Sequence, residues 1–236
     1  MKRVVILQPG YLPWLGFFDQ LDLAHTFVIY DDVQYDRRGW RNRNRVKTPT
    51  GPCWLTVPVE QKGAFHQTVL STRIAAGEWR RKHLGTLARN YRPAPFFDRY
   101  YPAFEEILQE PFEFLVDLDL ALIELIAAEL GIVTTMVRSS GLSIQGGKTD
   151  RLVEICRYLG ATHYLTGNAA HNYIDLGRFG ECGIRVEFHD YVHPEYRQQF
   201  GAFLPYLSIV DLLFNHGPDS LDILSSRRTG RFEEQS

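Results

Sequence analysis

A short β-branched run that is stopped at once by a rigid turn constrains this chain more than any other feature. Val4-Val5-Ile6-Leu7 gives way to Gln8-Pro9-Gly10-Tyr11-Leu12-Pro13, where two prolines and a glycine end the strand pattern. Trp14, Phe17, Phe18, Leu21 and Ala24 then recur at helical spacing, and Phe27-Val28-Ile29-Tyr30 follows as a second strand ending in Asp31-Asp32. Strand, helix and parallel strand compose a right-handed βαβ unit, whose ligands sit beyond the carboxyl ends of the strands. Gln8, Tyr11, Asp31 and Gln34 are therefore expected on one rim.

Immediately downstream, the eleven residues 37–47 hold six cations, two amides and a tryptophan. In an extended segment Arg41, Arg43 and Arg45 face one way and Asn42 and Asn44 the other. Guanidinium forks suit phosphate or carboxylate, so one face is expected to read an anion while the other ties the segment down. Trp40 and Lys47 belong to the same cluster. The plainer alternative is a solvated basic loop paired with surface acids.

Trp54-Leu55-Thr56-Val57-Pro58-Val59 reads as a third strand, its proline indicating an edge position or an early exit. Lys62-Gly63 marks a mobile connection. Helical patterns over 77–91, 96–109 and 112–130, the last closed by Gly131, predict a helical insertion at about 77–131. A strand over 133–137 opens into Arg138-Ser139-Ser140-Gly141, and a helix over 148–159 starts at Lys148 and Thr149. Thr149 is its N-cap candidate, and free amides there can receive an anion. Strands over 162–166, broken by Gly167, and 185–188 precede a closing helix over 204–214, with Ser208 as a cap. This alternation predicts a doubly wound, mostly parallel α/β sheet in one domain, residues 1–224, followed by a polar tail, 225–236.

Several residues carry two readings. Asp31 is either a ribose or metal ligand or the ion-pair partner of the basic segment. Gln8, Tyr11 and Trp14 either contact a ligand or finish the core. Gly167-Asn168-Ala169-Ala170-His171-Asn172-Tyr173 supplies amides, an imidazole and a phenol on a second rim, with His171 a general base or only a hydrogen-bonding side chain. His189 and His193 lie four apart, but Pro194 makes their segment a loop, so no metal set is assigned and no cofactor is specified. The formal net charge of −2 argues against a general nucleic-acid binder. Three scattered cysteines, with no apolar run near the roughly 18 residues of a membrane span, lead us to expect a cytoplasmic protein. The expected partner is a small anionic molecule: a nucleotide, a nucleotide sugar or a carboxylate.

With these motifs in view, the chain resembles the WbqC-like protein family along almost its whole length. The resemblance rests on Gln8-Pro9-x-Tyr11-Leu12-Pro13-Trp14, Asp31-x-Val33-Gln34-Tyr35, Asn42-Arg43-Asn44-Arg45, residues 54–59, Tyr164-Leu165-x-Gly167 through Tyr173-Ile174-Asp175, His193-Pro194-x-Tyr196-x-Gln198, and residues 205–215. That family is named for surface-polysaccharide (O-antigen) gene clusters, so the resemblance implies glycan-precursor metabolism, with acyl, aminoacyl or related group transfer involving an amino sugar or a nucleotide-linked substrate. The alternative is a non-catalytic ligand-binding protein. The opening strand, turn and helix are also similar to the nucleotidyltransferase and pantothenate-synthetase type of fold, whose H-x-G-H motif handles nucleotide phosphates. Here those positions read Trp14-Leu15-Gly16-Phe17. Under this resemblance Arg43, Arg45 and Lys47 meet phosphate or carboxylate, Gln8, Tyr11 and Asn168 meet the polar substrate, and Asp31 or His171 acts as acid or base.

Overall fold

A computed structural model describes residues 1–37, 39–60 and 66–228, with the backbone of Glu233 and Glu234. Arg38, the Lys62-Gly63 connection and most of the tail beyond residue 228 lie outside the described residues. The first crossover forms as the sequence implies: β1 (Arg3–Leu7), α1 (Leu15–Leu23) and the parallel partner β2 (Thr26–Ile29). Three further parallel strands complete the main sheet: β5 (Thr135–Arg138), β6 (His163–Gly167) and β7 (Arg185–His189). Their order across it is β5-β2-β1-β6-β7, with Glu233–Glu234 adding a short antiparallel edge, β8.

Residues 43–48, expected as a loop, are a strand. β3 (Arg43–Thr48) pairs antiparallel with β4 (Gly51–Thr56), placing Arg45 opposite Trp54, in a two-stranded sheet of its own. The expected third strand, 54–59, is thereby displaced to 51–56 and leaves the main sheet. The reason is its pairing: alternating Arg and Asn give a period-2 segment with one buried face, and the nearest backbone with open hydrogen bonds is the next six residues. Gly51, at φ +113, makes the connecting turn.

The insertion comprises α2 (Trp79–Tyr91), α3 (Phe97–Gln109) and α4 (Leu115–Glu129), closed by Gly131 at φ +74. After β5, α5 (Lys148–Tyr158) leads to β6, α6 (Leu176–Gly180) leads to β7, and α7 (Ile209–His216) and α8 (Ser220–Ser225) close the chain. Two expectations are corrected here. Thr149 does not cap α5, since Gly147 holds that position and the Thr149 hydroxyl accepts from the Asp175 amide (3.1 Å). The helix expected over 204–214 begins at 209, because Ser208 is its cap and accepts from the Val210 amide, and it is followed by the further helix α8.

Strand alternation divides the core between the two sheet faces. Val5, Phe27, Ile29 and Leu165 pack with α1, the insertion and α7, while Val4, Ile6, Val28 and Tyr164 pack with α5 and α6. Burial on both faces is what a parallel sheet requires. Across the first face Arg3 on β1 forms a two-pronged ion pair with Glu187 on β7 (2.6 and 3.3 Å), both side chains less than a tenth exposed, and Arg3 also reaches the Leu23 carbonyl (3.2 Å). Arg228, at the start of the polar tail, returns to Asp19 and Asp22 on α1.

Removing one partner of a buried pair leaves the other charge uncompensated in a low-dielectric interior. Glu187→Ala should therefore lower the unfolding free energy by about 3 kcal/mol, measured by urea denaturation, whereas a loss under about 0.5 kcal/mol would identify a pair without energetic weight.

Candidate functional site

β1 and β6 are neighbours in the sheet but not in the chain, and the strand order reverses between them. In open α/β sheets that reversal leaves a crevice beyond the carboxyl ends. β1 delivers the turn at residues 8–13 into it, and β6 delivers the 3-10 turn Asn168–Asn172. Pro9 and Pro13 have no amide to offer, and the carbonyls of their turn are met from the side of β3. Arg41 Nη1 donates to the Gln8 (2.9 Å) and Pro9 (3.2 Å) carbonyls, Asn44 Nδ2 donates to the Leu12 carbonyl (2.7 Å), and the Tyr11 amide donates to the Arg41 carbonyl (2.9 Å). Asn42 Nδ2 donates to the Val57 carbonyl (2.7 Å). The two asparagines thus fasten the segment, on the face opposite the arginines.

Two cavities open there. One of about 660 Å³ lies at the reversal point and is lined by Leu7, Gln8, Tyr30, Arg41, Lys148, Tyr164, Asn172 and Tyr173, among others. The other, of about 480 Å³, shares Leu7, Gln8 and Arg41 with it and extends toward Trp14, Phe17, Gln20, Trp40, Asn44, Arg45 and Tyr206. The basic segment and the Gly-Asn-His turn therefore meet across one cleft, through Arg41 on one side and Asn172 and Tyr173 on the other.

The remaining sequence candidates are spread more widely. Arg43 stacks on Trp54 (4.7 Å), Arg45 lies over Trp40 (5.3 Å), and the two indoles are 5.0 Å apart. Lys47 points elsewhere: it is buried and donates to Gln198 Oε1 (2.9 Å) and the Ala202 carbonyl (2.5 Å), which makes it an anchor for the 198–206 segment and not an anion contact. Tyr11 is buried and donates to His83 Nδ1 (2.9 Å), a core contact. Gln34 is exposed and forms a bridge with Thr68. Gly167 ends β6, Asn168 Nδ2 donates to Asp190 (2.8 Å), and His171 is exposed, stacked 3.5 Å from the Phe188 ring.

Asp31 is closed off. It is 0% exposed; its carboxylate accepts from Arg138 Nε (2.6 Å), the Ser140 amide (3.0 Å) and the Ser140 hydroxyl (2.9 Å), with Ser139 Oγ 3.1 Å away. Burial alone would raise its pKa, but the Arg138 guanidinium and the Ser140 donors outweigh that and hold it below the usual carboxylate value. β5 brings these partners to the end of β2, so Asp31 is the ion-pair partner of Arg138 and not of the basic segment. Asp32 beside it pairs with Arg151, which spans the Tyr30 ring at 5.1 Å. Neither Asp31 nor His171 lines the cleft, and the acid-base role expected of them has no geometric support.

What lines the cleft is a set of donors. Lys148 opens α5, no side chain caps that helix, and its first-turn amides face an anion-favouring end. Burial raises the pKa values of Tyr30, Tyr164 and Tyr173, leaving the phenols protonated at neutral pH. Behind Arg41, burial holds the carboxyl of Asp119 on α4 well above the ordinary range, Arg41 only partly opposing it. Among the described residues no cluster of three or more His, Cys, Asp or Glu is arranged to hold a metal, and no helix is long and apolar enough to cross a membrane. Sequence reasoning set Arg41 on the anion-reading face and Asn172 in the second-rim turn, but did not single out Tyr30, Gln20 or Tyr206. Tyr30 sits where the strand-end rule points. A polar Gln20 on the buried face of α1 was the other available signal. The glycine of Trp14-Leu15-Gly16-Phe17 also gains a reason, since a Cβ at Gly16 would lie 2.3 Å from the Trp14 ring.

Two outcomes follow from these contacts. Asp31→Ala should cost about 2 kcal/mol of stability, the weight of charged hydrogen bonds lost from a buried group, seen as a lower urea midpoint with an unchanged slope; an unchanged midpoint would remove the structural role. Burial depresses the His83 pKa from 6.5 to about 4 despite a bond to the Thr56 backbone. The folded protein thus resists a proton that the unfolded chain accepts, so this contribution is complete above pH 6.5 and is lost as pH falls toward 4. Between those limits the wild type should lose about 3 kcal/mol that His83→Gln does not lose, as read from denaturation at stepped pH.

The chain matches the WbqC-like protein family over residues 8–223. It is 42% identical over 226 residues to the uncharacterized protein Rv1507c of Mycobacterium tuberculosis (strain ATCC 25618 / H37Rv), an alignment covering 95% of this chain and 98% of that protein. No solved structure gives a significant match. A family match of this extent, joined to near full-length identity with a relative, establishes that the chain belongs to the WbqC-like protein family.

Proposed function

We propose that the cleft between β1 and β6 binds the phosphate or carboxylate end of a small anionic substrate, and that the protein transfers an acyl, aminoacyl or related group in the metabolism of surface-glycan precursors. The observation that carries this reading is the convergence of Arg41, Lys148 and the uncapped amino end of α5 around Gln8 at the reversal of strand order. Two cations and free amides at one point form a site for a nucleotide, nucleotide sugar or carboxylate. The setting in glycan metabolism comes from the family membership. Catalysis there rests on holding two reactants together and on stabilising developing negative charge, the work of preorganised donors. The similarity of the opening strand, turn and helix to the nucleotidyltransferase type of fold fits this arrangement, with phosphate met from the side of the hairpin and from α5 in place of α1.

A second reading, a non-catalytic ligand-binding protein, is favoured by one observation: among the described residues that line the cleft there are cations, amides and phenols, but no carboxylate or imidazole. Thermal-shift and calorimetric titration with inorganic phosphate, nucleoside diphosphates, nucleotide sugars and short carboxylic acids tests the site. Lys148 is exposed, so Lys148→Ala should leave the melting temperature unchanged while weakening the best ligand about tenfold, the loss of one charged hydrogen bond. Equal affinity in the variant, or no ligand from the panel, would overturn the anion site. Consumption of the bound ligand when amino sugars are added selects the enzyme; binding without turnover selects the second reading.

A further inference from the structure

The second chamber has a composition that the anion site does not explain. Trp14, Phe17, Trp40 and Tyr206 wall it, yet four of its side chains hold buried polar atoms with no hydrogen-bonding partner among the described residues. These are Gln8 Oε1, Gln20 Oε1, Arg41 Nε and Arg45 Nε. Gln20 is the most informative. Only 5% exposed and lining the chamber, it spends its amide nitrogen on the Gly16 carbonyl of its own helix (3.3 Å), which leaves Oε1 a buried acceptor without a partner among the described residues. Arg41 Nη1 donates to the Gln8 and Pro9 carbonyls and Arg45 Nη2 to the Tyr206 carbonyl, while the Nε atoms of both are buried without a partner among the described residues.

Two acceptors and two donors among aromatic walls define a ligand class. Unpartnered buried polar atoms are costly, so the occupant must both donate and accept. An acyl chain does neither. A second anion would satisfy the guanidinium donors and be repelled by both amide oxygens. Hydroxyl groups do both, and each can turn to suit its neighbour. The walls are also inclined, with the Trp14 and Tyr206 rings 5.8 Å apart at 51°. Inclined rings do not clasp a flat base between parallel faces, but they accept a puckered ring that lays its C–H face on one aromatic and turns its hydroxyls to the rest. We propose that this chamber is the sugar subsite of the cleft, binding a pyranose ring whose anionic group, or whose reaction partner, occupies the site between β1 and β6. This assignment deepens the anion-site reading and rests on it, because Leu7, Gln8 and Arg41 belong to both cavities.

The test uses the full chain, with glucose, galactose, mannose and N-acetylglucosamine at millimolar concentration as probes of the chamber and inorganic phosphate as the probe of the anion site. Saturation-transfer NMR and quenching of tryptophan fluorescence read the sugars, and calorimetry reads phosphate. At least one sugar should bind, and Gln20→Leu should weaken it tenfold or more with phosphate affinity unchanged. Replacing this unpartnered amide by an apolar group of similar size is not expected to unfold the protein. Trp40→Ala, at an exposed position, should reproduce the loss and guards against misfolding of the first variant. Phosphate binding without binding of any sugar would overturn the sugar subsite and leave the anion site standing. Loss of both ligands from the wild type would overturn both. Sugar binding that survives Gln20→Leu, or octanoate binding that strengthens in it, would mean that the chamber takes something else.

Discussion

The turn that ends β1 cannot satisfy itself, and much of the molecule is arranged to satisfy it. Two prolines within six residues remove the amides that would otherwise close the turn locally, while its carbonyls still need donors. Arg41 and Asn44 supply them to Gln8, Pro9 and Leu12, and the Ile209 amide supplies the one for Pro13. The Ser208 amide in turn donates to the Arg45 carbonyl. One demand for hydrogen bonds thus fixes the hairpin, the start of α7 and the position of Arg41 over the strand reversal. Arg41 is a structural clamp through Nη1 and also a cation lining the cleft.

The electrostatics sort into charges that hold and charges that face the cleft. Asp31 with Arg138, Asp32 with Arg151 and Arg3 with Glu187 each join strands or helices that the chain brings together from more than a hundred residues apart. These groups are matched, and their neutralised charges project little field. Arg41 is different. Its neighbour Asp119 is pushed by burial toward the protonated form, so that carboxyl compensates the guanidinium weakly, although Asp36 also lies within electrostatic reach. Together with Lys148 this leaves the cleft positive in a protein whose formal net charge is −2.

Much of this was legible in the sequence because it is local or follows from topology. The β-branched run, the proline turn and the aromatic helical spacing fix the first crossover. Gln8, Lys148 and Tyr173 follow from the rule that loops at the carboxyl ends of parallel strands line the crevice. That rule also selects Asp31, and there it misleads, since nothing within 31 or its neighbours announces that Arg138, Ser139 and Ser140 will arrive on the adjacent β5. The hairpin strand β3 was hidden for another reason. Its period-2 pattern is written in arginine and asparagine, residues poor in strand propensity, and is stabilised by pairing with β4 and by the needs of a distant turn. Tyr206 enters the chamber from the far end of the chain, and no short-range signal connects it to Trp14.

The start of α1 meets the cleft through its aromatic residues. Trp14 and Phe17 both line the aromatic chamber, and position 16 between them takes a glycine because the Trp14 ring lies where a side chain would be. The cations at the strand reversal are Arg41, from the side of the hairpin, and Lys148 from α5. The aromatic start of α1 and the cationic run at 37–47 therefore line one cleft from two sides. The segment that the proline turn recruits for its backbone also carries Arg41, a cation of that cleft.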